Sequence, residues 1–356
     1  MAEPLADVRG RRQPRAIAWL ILAFSLPLIA LPAALRERPP LQWEPAGAPP
    51  VPGAVRELVA AGGSGAPVLY AVAEHWGIYR SDDAAGWVPT GGLPRRGLGS
   101  LEVTCLAAAP DDPRLLLATL DEPGQSLPEL YRSCDGGQSW VPRRGLPGLT
   151  IDALTMAPGT AAYAACGRHL YFSPDAGDTW LRLGDHPAQA RALVLTVDSA
   201  RQALYLGTEG DGLWLTTDRG ASWSSALPGR TVWALAVAGE GRMYAGADRG
   251  LYLSEDGGTS WQRLTSPELQ EGVREVAAGP DGAVAVATAG RSVVLSLDGG
   301  ATWQRLPLLP VGQMAMALLF HGGHLYVGTE QGVWRCRLSR VQGNGCTGLG
   351  HASVQS

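Results

Sequence analysis

Two sets of side chains in this 356-residue chain have types and spacing that invite a chemical reading. The first is five aspartates, Asp135, Asp175, Asp218, Asp256 and Asp298, each inside the string Ser/Thr-x-Asp-x-Gly-x-Ser/Thr-Trp and each followed five residues on by Trp140, Trp180, Trp223, Trp261 or Trp303. A carboxylate between two hydroxyls can accept backbone N–H groups or take part in cation binding, but one carboxylate per copy is too few hard ligands for a dedicated calcium site. The second set is carboxylates and arginines in the intervening segments. Asp121, Glu122, Glu209, Asp211 and Glu330 offer the pair of carboxyl groups that glycoside hydrolysis requires, or are surface charges. The arginines offer forked donors for an anionic partner.

Other chemistries lack their residues. The chain has no lysine, which removes Schiff-base and lysine-nucleophile catalysis. Cys105, Cys134, Cys166, Cys336 and Cys346 are scattered, without metal-ligand spacing, and the six histidines show no nucleophile grammar, so no metal or cofactor is implied. Cys336 and Cys346 either close a short loop or are free thiols. A net charge of −4 gives no basic excess for nucleic acid.

The elements that must position these residues follow from the period. The five tryptophans lie 40, 43, 38 and 42 residues apart, close to the length of one four-stranded propeller blade. Each unit reads as an apolar run, a turn, a second strand that carries Tyr in most copies, a third strand, the Asp turn, and a fourth strand opening at Trp. The apolar runs fit strands buried on both faces. Seven units begin near residues 55, 103, 151, 190, 231, 273 and 313. The first has a worn turn, Ser81 to Trp87, and the seventh stops after its third strand, whereas Leu41 to Pro45 looks like a fourth strand without its repeat. The expectation is an all-β, seven-bladed propeller over residues 41–338 in which 41–45 completes the last blade, with a disordered tail at 339–356.

Recurrence makes the Asp turn structural, since a catalytic residue is needed once and a fold element in every blade. The turns share one face with the first-to-second strand connections, so function is sought on the other. Arg95, Arg96, Arg143, Arg144, Arg168, Arg191, Arg230, Arg249, Arg274 and Arg291 sort there. They read as a basic ring that docks an acidic protein segment, or as solvated loop charges.

Residues 16–35 form an uncharged, apolar run long enough to cross a bilayer as a helix. Four arginines precede it between residues 9 and 15 and two follow at 36 and 38. That bias places residues 1–15 in the cytoplasm and exports the propeller past a linker at 36–40. A cleaved signal peptide is the competing reading.

The turns resemble the Asp-box, or bacterial neuraminidase repeat, of sialidases, sortilin-type receptors, xyloglucan-degrading enzymes and the photosystem II stability and assembly factor family. The resemblance covers residues 55–338 and implies a propeller. Sialidases have six blades and an Arg-Ile-Pro-type segment that has no counterpart here; xyloglucanases use two propellers, where this chain has room for one. The layout is most similar to the assembly-factor family. That likeness implies a non-enzymatic, membrane-anchored, extracytoplasmic scaffold whose partner is a membrane-protein assembly intermediate. A sialidase-like glycan hydrolase and a cell-surface sensor or adhesion module are the alternatives.

Overall fold

The structure, a computed structural model, describes residues 41–338 except 48–49, 63–67, 84–85, 94–101, 122–128 and 147–149. The apolar run at 16–35, Arg95, Arg96, Glu122, Cys346 and the tail at 339–356 lie outside the described residues. Among those described, no helix is long and apolar enough to cross a membrane.

Seven four-stranded antiparallel sheets form a ring. Their first strands, Val55–Ala61, Glu102–Ala108, Ala153–Met156, Ala192–Asp198, Val232–Val237, Val273–Ala278 and Ala315–His321, each touch the first strands of the two flanking sheets and so enclose a central channel. Six sheets are continuous in sequence. The seventh contains Ala315–His321, His324–Thr329 and Gly332–Arg337, and its outer strand is Trp43–Pro45, in register as Trp43 with Cys336, Glu44 with Arg335 and Pro45 with Trp334. The Glu44 carboxylate accepts from Arg335 Nε at 2.7 Å, and the Trp43 indole N–H donates to the Pro307 carbonyl at 2.8 Å.

Burial corrects one expectation from the sequence. The strands buried on both faces are the second ones, Val68–Ala73, Ala203–Thr208, Met243–Ala247 and Val284–Thr288. First strands alternate, as Val232–Val237 does between buried and half-buried residues, because every other side chain faces the channel. Six of the seven carry a register shift at their second or third residue, a bulge that re-aims one side chain at the channel mouth.

One tryptophan fills each seam between blades. Trp140, Trp180, Trp223, Trp261 and Trp303 pack against the preceding blade, Trp87 of the worn turn plugs the seam between blades seven and one, and Trp43 sits in the seam between six and seven. Close approach of the sheets also needs absent side chains. A Cβ on Gly207, Gly246 or Gly328 would lie 2.9, 2.8 or 2.6 Å from the carbonyl oxygen of Val232, Val273 or Val55 in the next blade.

All five Asp turns share one hydrogen-bond pattern. In the first, Ser133 Oγ donates to Asp135 Oδ1 at 2.7 Å and accepts from Gly137 N at 2.8 Å, while Ser139 donates its N–H and its hydroxyl to the two Asp135 oxygens at 2.9 and 2.5 Å. These donors hold the Asp135 carboxyl down at about 2, and the Ser222 and Ser260 donors do the same for Asp218 and Asp256. Each carboxylate is taken up inside its own turn.

Candidate functional site: the channel and its mouth

First strands begin on the face away from the Asp turns, so the bulged residues stand around that end of the channel. The cavity within has a volume of about 660 Å³. Its ionisable lining comprises Arg56, Glu57, Glu102, Asp152, Arg191 and Glu275. Two of the cations are paired: Arg56 with Glu74 across the blade-one loop at 2.5 Å, and Arg191 with Asp152 at 3.1 Å. A third cation, Arg274, lies over the Trp233 ring at 5.1 Å.

Among the described carboxylates, Glu57 and Glu275 are the two pushed upward. Glu57 is half-buried, and its enclosure by the channel wall pushes it up to about 7, partly offset by the Leu106 N–H that donates to it at 3.0 Å. Burial likewise raises Glu275 to about 8, and the charge of Glu57 adds to the rise. Both therefore hold or share protons near neutrality, the condition of a general acid or of a carboxyl that donates a hydrogen bond. Cys105 lines the same wall, but burial and the Glu57 charge lift its thiol to about 12, so it is not a nucleophile.

The arginines expected on this face divide. Arg168, Arg249 and Arg291 occupy the second-to-third strand loops, Arg191 immediately precedes a first strand, Arg230 stands two residues before another, and Arg274 is the second residue of a third. Arg168 donates to Gln189 Oε1 at 3.3 Å and Arg291 to the Gly312 carbonyl at 3.3 Å. Arg168, Arg230, Arg249, Arg274 and Arg291 form no ion pair among the described residues. Arg143 is held elsewhere: its guanidinium lies 3.0 Å from Asp178, which also binds Arg132 at 2.6 Å, so it is tied into the Asp turn of blade three. It stands only three residues past Trp140, too near the turn side to reach the mouth. Arg144 is exposed. The rim is mixed in charge, because Glu74, Asp152 and Asp211 are interleaved with the arginines.

None of Glu209, Asp211 and Glu330 lines the cavity, and Asp211 instead accepts the N–H groups of Gln189 and Ala190 at 2.6 and 3.2 Å. The carboxylates gathered in the channel are ones that loop-sorting missed, whereas the exposed Trp76 of the blade-one loop falls on the face where the sequence places it. Among the described residues no three His, Cys, Asp or Glu side chains are grouped to hold a metal ion.

Fold and channel define the class: a seven-bladed β-propeller with an axial, carboxylate-bearing cavity. No family model matches the chain. Over 165 residues, 40% of this chain, it is 32% identical to a probable oligoxyloglucan-reducing end-specific xyloglucanase of Neosartorya fischeri, and it spans a fifth (20%) of that protein's length. Among solved structures, YCF48 from Cyanidioschyzon merolae overlays with a TM-score of 0.64 at 17% identity, over 83% of this chain and 98% of that one. YCF48 bound to D1 peptide overlays at 0.65 and 16%, over 85% and 98%. The GH74 xyloglucanase from Xanthomonas campestris gives 0.67 at 18%, over 83% of this chain and 53% of the enzyme. At these identities the overlays establish the fold.

Proposed function

We propose that this chain is an extracytoplasmic propeller, tethered to a membrane by residues 16–35, that docks a polypeptide segment across the channel mouth. The observation that carries the reading is coverage: the ring spans 98% of a propeller solved with a peptide bound, against about half (53%) of the xyloglucanase. Its repeated turn, read as an Asp-box, is the joint that builds the ring. The mouth has the side chains that anchor such contacts, an exposed tryptophan, Trp76, and arginines free of carboxylates at Arg168 and Arg249. A photo-crosslinking residue placed at Trp76, Arg168 or Arg249 in the full chain is expected to capture a polypeptide, and one at Thr259 on the turn side is not. Equal capture at both faces, or none at the mouth, overturns the reading.

A second reading, glycan hydrolysis, is favoured by the proton-holding Glu57 and Glu275 together with the identity to the Neosartorya fischeri protein. It requires that the chain release reducing sugar from xyloglucan oligosaccharides, and that Glu57→Gln and Glu275→Gln each remove the activity. No release by the unaltered protein ends it.

A further inference from the structure

Most seams on the turn side are closed by a side chain that reaches from one blade into the next. Tyr70 donates its hydroxyl to the Pro113 carbonyl at 2.7 Å, Arg132 donates to the Asp175 carbonyl at 3.1 Å, Tyr205 to Gly257 at 2.8 Å and Tyr244 to Gly299 at 3.0 Å. Tyr163 holds the same register position in blade three, opposite Phe172 as Tyr70 is opposite Arg80 and Tyr205 opposite Leu215. Yet its hydroxyl makes no such bond among the described residues. Instead a cavity of about 530 Å³ opens between blades three and four, lined by Tyr163, Ser199, Gln202, Thr217, Asp218 and Arg219 over an apolar floor that includes Val197. That volume is in the range of small-molecule sites.

Arg219 enters this seam from the opposite side to the arginines of other seams. It belongs to the Asp turn, at φ 58°, where three of the five turns have glycine at Gly136, Gly257 and Gly299. Its guanidinium lies 5.6 Å from the centre of the Phe172 ring, which packs tilted against Tyr163 with centroids 5.0 Å apart, and it has no ion pair among the described residues. A left-handed arginine stands where glycine serves in three turns and Ala176 in a fourth, at some cost in backbone strain. Asp218 carries the balancing charge, its oxygens engaged by Thr216 and Ser222.

We propose that the seam between blades three and four binds a neutral, hydroxyl-rich ligand, a saccharide of one or two units. The chemistry is a mixed one. Arg219 donates, the Tyr163, Ser199 and Thr217 hydroxyls donate or accept, and the Gln202 amide does both. Arg219 opposes a cation and Asp218 opposes a free anion, so the net charge is near zero and a polyol fits the set. The seam lies on the face opposite the docking mouth, and its test is independent of that function.

The chain contains three phenylalanines, so fluorophenylalanine labelling gives three 19F resonances, with that of Phe172 assigned by its loss in Phe172→Leu. Titration of the full chain with glucose and with cellobiose is expected to shift the Phe172 resonance to saturation while Phe320 stays in place. Arg219→Gly removes the guanidinium in a residue suited to that φ. It is expected to weaken binding at least tenfold with the melting temperature kept or raised, and Tyr163→Phe to weaken it several-fold. Three outcomes overturn the proposal: no saturable shift with either sugar, the same affinity in Arg219→Gly, or saturation by inorganic phosphate where sugars have no effect.

Discussion

Glu57 and Glu275 are placed where an ionised carboxyl is costly, and the chain keeps them there in two blades. Their effect on stability has a definite sign. With folded values of about 7 and 8 against an ordinary 4.5, the folded state holds more protons than the unfolded one, so stability falls as pH rises from about 4.5 through 8. The turn aspartates act in the other direction: Asp135, Asp218 and Asp256, at about 2, contribute stability that is lost as pH falls from about 4 through 2. Melting temperature against pH is therefore expected to peak in mildly acidic solution. In Glu57→Gln and Glu275→Gln the decline on the alkaline side flattens; an unchanged profile would show that neither carboxyl titrates in the channel. The signal for both residues was present in the sequence, since Val55-Arg56-Glu57 and Val273-Arg274-Glu275 repeat one string at the head of two apolar runs. The sequence alone assigns neither a role, because the raised proton affinity of a strand carboxyl follows from its enclosure by the channel wall, which only the closed ring creates.

The repeated turn was legible because its partners are local. Asp, Ser or Thr and Gly within eight residues satisfy one another, and no distant group is needed to specify the shape. The second strand was less legible. Its glycines look like weak points in a strand, yet Gly246 lies where the Val273 carbonyl of the next blade approaches, a contact fixed by a residue 27 positions later. Gly246→Val is expected to destabilise the ring by about 1–3 kcal/mol in denaturant unfolding, because the obstacle is backbone and cannot swing aside. The equivalent change at Gly159, whose Cβ would meet nothing within 4 Å, tests φ strain alone and is expected to cost less. Seam tryptophans belong to this scale too: sequence marks them as large apolar anchors, but only the packing shows that each serves the joint with the preceding blade.

At the scale of the ring, blade number could be counted from the sequence, whereas the axial cavity and its rim could not, because both arise from side chains in blades that lie far apart in the chain. Trp43→Ala removes the tryptophan from the seam between blades six and seven and is expected to cost about 2 kcal/mol or more in denaturant unfolding, with the outer edge of Gly332–Arg337 left open to pairing between molecules. Size-exclusion chromatography reads the resulting dimers; a monomeric variant of unaltered stability would remove Trp43–Pro45 from the account of closure. Tethering by residues 16–35 predicts retention of the propeller in the membrane fraction after alkaline extraction, and release when those residues are deleted. The pairing of Glu44 with Arg335 spans 291 positions, so Trp43–Pro45 is seated only after Gly332–Arg337 has been made. Synthesis of Gly332–Arg337 is the step that lets the circle lock, and a chain that stops before it is expected to leave Trp43–Pro45 without a partner strand.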